Sequence, residues 1–476
     1  MRRAKLVACM LSLSVVMAMA GCTTNPSGGK ETTPAQTEES KTEKTTESVS
    51  GSTEEETEAQ TEKQTEKATE VPETEKETEK ETKPADPSLS EKVLQNDEAY
   101  AAMVKKSLVQ TGNNYRLKKV IEKAQNGEQV NIAIIGGSIT EGAVASPNSL
   151  CYASQTAKYF AETYGTGENV HFINAGVSGT PSTLGMMRYK DHVDEQLGGQ
   201  ADLVIVEFAV NDADDPTNGD CYESLVRNVL KQDNDPAVIL LFSVFQSQWN
   251  LQDRMIPVGK HYDLPMVSIK NAVVPSIKAG TLTNKEYFAA DGWHPTNAGH
   301  QIMTDCMINL FKEIDAEEIA EADIEIPEKG RIGNSFEGVV GFTSADTIEG
   351  LTVNPGSFTL KDSAIPGLQY DSSRKILPDN WKRDTSSNES MTVDVNCKNF
   401  TLAYKQSNSK TYGKMEVYVD GVLKTTIDGN NKGGWNNAYS VVIFKDQEAA
   451  DHHIEFKMAE GDEDKDFTIM IMGYTR

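Results

Sequence analysis

Between Val130 and Ser268, short apolar runs alternate with segments of helical length. Val130-Asn-Ile-Ala-Ile-Ile-Gly136 comes first, and similar runs follow at Val170–Asn174, Leu203–Phe208, Val238–Phe242 and Met266–Ser268. Residues apolar at successive rather than alternate positions predict strands covered on both faces, and such strands alternating with helices predict parallel pairing. The pattern therefore predicts a three-layer α/β/α sandwich over residues 89–318. It opens with a helix over about Asp97–Ala124 and closes with an amphipathic helix ending near Phe311.

From about Ala322 the pattern changes to short alternating segments separated by Gly, Asn and Asp. Met415–Val419 and Val422–Ile427 alternate on either side of Asp420-Gly421, a strong signal for a tight hairpin. With TLAYKQ, YSVVIF, HHIEFKM and FTIMIMGY, this predicts an antiparallel, jelly-roll-like β-sandwich over residues 319–476.

The amino-terminal part carries a different pattern. Met-Arg-Arg-Ala-Lys precedes an apolar stretch from Leu6 to Ala20, too short for a comfortable membrane span, and the pair reads as a signal peptide over residues 1–22. It ends in Met19-Ala20-Gly21-Cys22, which resembles the lipobox of bacterial lipoproteins although Leu is absent at Met19. That resemblance implies lipidation at Cys22 and an extracellular protein anchored to the bacterial cell membrane; the alternative is an ordinary cleaved signal. Residues 23–88 are a Thr/Glu/Lys repeat without an aromatic residue, unable to bury enough apolar surface to offset chain entropy. A coil of that length spans roughly 45 Å, enough to hold a domain away from a surface.

Composition narrows the function. The 476 residues include 46 Lys+Arg and 72 Asp+Glu, a formal net charge of −26, of which residues 23–88 supply −10 from 18 acidic and 8 basic residues. Nucleic acid and anionic membrane surfaces are poor partners for such a chain, leaving the lipid as the expected membrane contact. Cys151, Cys221, Cys306 and Cys397 show no CxxC spacing, so zinc or a redox motif is not expected, and free thiols are.

Chemistry gathers at the carboxyl ends of parallel strands. The first run is followed by Gly136-Gly137-Ser138-Ile139-Thr140-Glu141-Gly142, a glycine turn that can present the Ser138 hydroxyl beside backbone N–H groups, although such a turn also serves as plain structure or, with a Lys that is absent here, as a phosphate loop. Asn174-Ala-Gly-Val-Ser-Gly179-Thr follows the second run, and Glu207-Phe-Ala-Val-Asn211-Asp212 the third. A glycine amide and a neutral Asn amide both suit an oxyanion hole, although each also serves as a plain turn or helix cap. In Asp291-Gly-Trp-His294-Pro, a carboxylate three residues before a histidine can hold Nδ1–H and leave Nε2 as base for a hydroxyl. Asp291, His294 and His300 as metal ligands are the weaker reading, because no HExxH and no further acid accompany them.

These four blocks, in this order, resemble the SGNH/GDSL hydrolase superfamily over roughly residues 97–315. The likeness runs through GGSIT with Ser138, GVSGT with Gly179, AVND with Asn211 and DGWH with Asp291 and His294. Gly-Gly-Ser-Ile replaces Gly-Asp-Ser-Leu, and Val210 stands where glycine is frequent; the first variant resembles the branch holding many bacterial carbohydrate acetylesterases. The resemblance implies a flavodoxin-like parallel sheet and a serine esterase needing no cofactor. In it Ser138 is the nucleophile, His294 the base and Asp291 its partner, with the Ser138 and Gly179 amides and the Asn211 side chain receiving the oxyanion. It also implies an acetylated carbohydrate substrate. A cell-wall or lipid deacylase, or a non-catalytic carbohydrate-binding lipoprotein, remains the alternative. The carboxyl-terminal strands look like modules that accompany such esterases, although in some of those the module comes first.

Four tryptophans bear on substrate contact. Trp293 and Trp249 fall in the hydrolase part, where Trp293 is placed to wall the acyl pocket, and both are candidate substrate-binding residues. Trp381 and Trp435 are candidates for stacking on sugar or for core positions.

Overall fold

The structure is a computed structural model that describes residues 97–476 apart from 214, 371, 373, 446 and 447. The expected signal peptide, Cys22 and the repeat of residues 23–88 lie outside the described residues. Among the described residues, no helix is long and apolar enough to cross a membrane.

The chain begins with α1 (Glu98–Lys105), β1 (Leu108–Gln110), α2 (Tyr115–Gln125), β2 (Val130–Gly136), α3 (Ser138–Glu141), α4 (Tyr152–Tyr164) and β3 (Val170–Gly176). It continues through α5 (Ser182–Met187), α6 (Glu195–Leu197), β4 (Leu203–Glu207), α7 (Asp220–Leu230), β5 (Ala237–Phe242), α8 (Gln252–His261) and β6 (Met266–Ser268). Helices α9 (Ile269–Ala279), α10 (Asn284–Tyr287) and α11 (Asn297–Ala316) complete the first half. The sheet order is β1-β6-β5-β4-β2-β3, with β2 to β6 parallel and β1 antiparallel on β6. Chain direction across the sheet reverses beside β2, whose neighbours are β3 and β4, and ligands bind outside the strand carboxyl ends at such a switch point.

Burial follows the two-residue period of a strand. Ile132 and Ile134 of β2 face α2, α4, α9 and α11 through Val120, Phe160, Val273 and Met307, while Ala133 and Ile135 face α5, α7 and α8 through Leu184, Leu225 and Met255. Strands β2, β4, β5 and β6 are buried at every position because helices cover both faces, whereas β3, at the sheet edge, leaves His171 exposed.

One expected element is corrected. The helix over Asp97–Ala124 is two helices, α1 and α2, separated by β1, whose Leu108 pairs with Val267. Thr111-Gly112-Asn113-Asn114 is turn chemistry that breaks the helical run, and the freed segment closes the sheet edge. Helix α11 extends past Phe311 to Ala316, because Ile314 continues its buried face.

The second half is antiparallel throughout. Strands β7 (Val340–Phe342), β8 (Leu351–Asn354), β9 (Trp381–Lys382), β10 (Met391–Cys397), β11 (Asn399–Ser407) and β12 (Lys414–Val419) are followed by β13 (Val422–Asp428), β14 (Trp435–Phe444), β15 (Ala450–Met458) and β16 (Thr468–Thr475). They form one sheet of order β13-β12-β15-β10-β8 and another of order β14-β11-β16-β7, to which β9 adds through β16. Asp420 and Gly421, both with positive φ, turn the β12–β13 hairpin, as Asp-Gly predicts. Phe400, Leu402, Val393, Ile454 and Phe456 fill the space between the sheets.

The two halves share a core. Ala403, Ala438, Met470 and Ile471, on the outer face of the second sheet, join Leu184, Met187 and Leu225 in one buried cluster, together with Leu368, Ile376 and Leu377 from the loop between β8 and β9. The described residues accordingly belong to one compact unit. Glu223 reinforces the join by accepting from the N–H groups of Arg331, Ile332 and Gly333, and Arg227 pairs with Glu337 at 2.6 Å. Cys151, Cys221, Cys306 and Cys397 are buried and unbridged.

Candidate active site

Ser138 opens the four-residue helix α3 directly after β2, with Gly137 as the preceding cap. The first N–H groups of a helix have no intrahelical acceptor, so this turn leaves donors beside the hydroxyl. Ser138 Oγ lies 2.9 Å from His294 Nε2, and His294 Nδ1 lies 2.7 Å from Asp291 Oδ2. The other carboxylate oxygen accepts from the N–H groups of Trp293 (2.8 Å) and His294 (3.1 Å), so the three-residue spacing closes on itself as an Asx-type turn. Partial burial raises the Asp291 pKa, but the hydrogen bonds from the His294 ring and the two amides outweigh it and hold the carboxyl below its ordinary value. An ionised Asp291 selects the tautomer with hydrogen on Nδ1, leaving Nε2 to accept from the serine hydroxyl.

The histidine loop is fixed at both ends. His294 O accepts from Ala289 N–H at 2.9 Å, and Thr296 caps α11 through Gly299 N–H at 3.0 Å. Asn297 then binds the Ser146 backbone twice, accepting from its N–H at 3.0 Å and donating to its carbonyl at 2.8 Å, which ties the histidine loop to the chain leaving α3. His300 stays out of this arrangement. Its Nδ1 accepts from Tyr152 N–H, Nε2 lies 3.4 Å from Ala143 O, and burial pushes its pKa down to about 4, as for a neutral structural imidazole. Among the described residues no cluster of three or more His, Cys, Asp or Glu is arranged to hold a metal ion.

Gly179 and Asn211, from the loops after β3 and β4, reach the same end of the sheet. The Asn211 side-chain amide packs on Gly137, where an added Cβ would lie 2.4 Å from Oδ1, so only glycine lets it stand beside the serine turn. Gly179 has φ +69°, and an added Cβ would meet the Trp435 ring at 3.0 Å. A hydroxyl held against an imidazole at the first turn of a helix, with the Asn211 amide packed on the preceding glycine, can perform acyl transfer with oxyanion stabilisation.

Beneath the site lies a buried polar layer. Thr140 Oγ1 donates to Glu207 Oε2 at 3.1 Å and lies 2.7 Å from Tyr152 OH, while Asp212 accepts from Ser182 N–H (2.8 Å) and Ser182 Oγ (2.7 Å). Burial raises the pKa of both Glu207 and Asp212 to about 7 against these hydrogen bonds, from 4.5 and 3.8. Between those values the native state keeps protons that the unfolded chain has released. Stability from these groups is therefore greatest below about pH 4 and falls as pH rises to about 7. Glu207→Gln is expected to flatten that fall, bringing Tm at pH 8 closer to Tm at pH 5.5 by a few °C, on the order of 1–2 kcal/mol. Calorimetry at the two pH values checks this; an unchanged difference would contradict it.

The aromatic candidates divide. Trp293 and Trp249 are 47% and 37% exposed, with Phe245 between them: its ring stands edge-on to Trp293 at 4.9 Å and stacks on Trp249 at 5.8 Å. They form a ledge beside His294. Trp435 is 49% exposed and reaches Gly179 from β14, whereas Trp381 is 4% exposed, packs on Phe342 in the sandwich core, and does not offer a face to sugar. Sequence reasoning missed Phe245 and Glu141. Nothing local marks Glu141, Phe245 or the reach of Trp435, whose partners lie far along the chain.

With this geometry in place, the fold and site are those of an α/β acyl-transfer hydrolase. Residues 134–302 match the model of the GDSL-like Lipase/Acylhydrolase family. Two solved structures of a two-domain esterase (CEX) active on acetylated mannans, one co-crystallized with mannopentaose, superpose with a TM-score of 0.66 at 27% identity. They cover 78% of this chain and 98–99% of their own. Among curated proteins no match was found. The chain carries a GDSL-like lipase/acylhydrolase domain followed by antiparallel β sheets, and it is a carboxylic ester hydrolase.

Proposed function

We propose that this protein is an extracellular serine esterase that removes acetyl groups from polysaccharide, acetylated mannan first among the candidates. The observation that carries the reading is the line of contacts from Ser138 Oγ through His294 to Asp291, at 2.9 Å and 2.7 Å. Ser138 Oγ attacks the acetyl carbonyl while His294 Nε2 takes its proton. The tetrahedral oxyanion is met by the Ser138 and Gly179 amides and by Asn211. Collapse expels the sugar hydroxyl, which receives the proton from His294, and water then hydrolyses the acetyl-enzyme by the same route in reverse. Asp291 holds the ring and stabilises its charged form. No step requires a metal or organic cofactor.

The substrate reading draws on the likeness to the mannan esterase, which extends beyond residues 134–302 into the carboxyl-terminal sheets, and on the exposed Trp249, Trp293 and Trp435 around the site. Flat aromatic faces bind the apolar faces of sugar rings. The signal-like residues 1–22, with Cys22 and the polar repeat behind it, support a lipid-anchored protein at the bacterial surface whose catalytic part reaches outward.

Acetate release from acetylated mannan and xylan is expected to exceed release from O-acetylated peptidoglycan, and hydrolysis of long-chain esters to be at least about 10²-fold weaker, since each unaccommodated methylene is left unburied. The measurement is kcat/KM across that panel with protein beginning near residue 89. Preference for peptidoglycan or long acyl chains would point instead to a cell-wall or lipid deacylase. Binding of glycan without hydrolysis of any short acyl ester would mark a non-catalytic surface protein.

A further inference from the structure

Glu141 lies three residues beyond Ser138 on α3 and is 1% exposed. A carboxylate so buried needs donors, and these come from two distant parts of the chain. Oε2 accepts from the Ser178 N–H at 2.7 Å and from the Ser178 hydroxyl, and Oε1 accepts from the Gln369 N–H at 2.7 Å. Gln369 Nε2 closes the ring by donating to Ser178 Oγ at 3.0 Å. Ser178 immediately precedes Gly179. Gln369 follows Leu368, which is buried in the core shared by the two halves, so the segment that supplies it is itself anchored. On the other side of the turn stands Trp435, in contact with Gly179.

We infer that Glu141 is a positioning residue: its carboxylate clamps the Ser178–Gly179 turn to the helix carrying Ser138, and Gln369 makes the carboxyl-terminal half part of that clamp. The inference rests on the proposed role of Gly179 as an oxyanion donor. An oxyanion hole works because its donors are already aimed where charge will develop and need no reorganisation during reaction. Glu141 touches no reacting atom, but it sets the turn from which the Gly179 N–H projects, and charge-assisted bonds to a backbone N–H are the strong kind. The clamp also gives the carboxyl-terminal half a role in the chemical step that is separate from holding substrate.

The test compares Glu141→Ala, Glu141→Gln and Ser138→Ala with the parent on a short acetyl ester, together with inhibition by a short alkyl boronic acid, whose adduct on serine carries a tetrahedral oxyanion. Glu141→Ala is expected to lower kcat by about 10- to 100-fold, less than the 10²–10³ typical of deleting a donor outright, with KM moving less than about threefold. Boronate binding should weaken by a similar factor. Glu141→Gln, which keeps one acceptor oxygen, should fall between, and it serves as the probe should the alanine variant fail to fold. A folded Glu141→Gln variant with the parent kcat and boronate affinity, or one changed only in KM, would overturn the clamp. An active Ser138→Ala variant would overturn the catalytic reading itself, so the two failures are distinguishable.

Discussion

Ser138→Ala is expected to reduce turnover of an acetyl ester by at least about 10³–10⁴-fold while circular dichroism and Tm stay close to those of the parent. The hydroxyl lies 2.9 Å from His294 Nε2, and its loss leaves the oxyanion donors and binding to act on a water molecule. Structural damage should be small, because alanine suits the first turn of a helix and the hydroxyl's contact is with the His294 ring rather than with the backbone that shapes the turn. Initial rates at saturating ester decide the matter. Retention of a tenth or more of the parent rate would remove Ser138 from the mechanism.

The second large effect is expected at Asp291. In Asp291→Asn the carbonyl oxygen can still accept from the N–H groups of Trp293 and His294, so the loop should keep its shape. The new amide would then present hydrogens to His294 Nδ1, forcing the tautomer whose Nε2–H faces the Ser138 hydroxyl and cannot accept its proton. A fall in kcat of about 10²- to 10⁴-fold with little change in KM is expected. The partial exposure of Asp291, which lets water restore some freedom to the ring, favours the lower half of that range. Steady-state kinetics of the folded variant measure it, and a loss under about tenfold would mean that Asp291 does not govern the ring.

What the sequence revealed and what it hid follow from how local each feature is. The DGWH loop was legible because Asp291 and His294 satisfy each other within three residues, and the Ser138 and Asn211 blocks because each follows a strand buried at every position. Strand β1 was not, since three residues at a sheet edge carry no period of their own, and its place depends on β6, far along the chain. Trp381 fell among irregular turns where no alternation indicates which side is buried. The clamp at Glu141 and the approach of Trp435 to Gly179 join positions hundreds of residues apart, and such contacts leave no mark on either segment alone.

Strand β10 alternates buried and exposed residues, as a sheet with one wet face should, whereas β16 is buried at every position. The run Phe467-Thr-Ile-Met-Ile-Met-Gly-Tyr474 is apolar at nearly every step for the same reason as the strands of the first sheet: something covers its second face. That cover is the acylhydrolase half, through Leu184, Met187 and Leu225. The shared core in turn places Gln369 and Trp435 beside the Ser178–Gly179 turn.

The most direct test of the central claim is to treat the protein with a fluorophosphonate ester and map the adduct by peptide mass spectrometry. Attack by an activated serine expels fluoride and leaves a stable phosphonyl group on that oxygen. The adduct is expected on Ser138, at one equivalent per chain, with loss of esterase activity in step with labelling and with labelling at least about 10²-fold slower in His294→Ala. Inactivation with the label on another residue, or equally fast labelling of Ser138 without His294, would contradict the account.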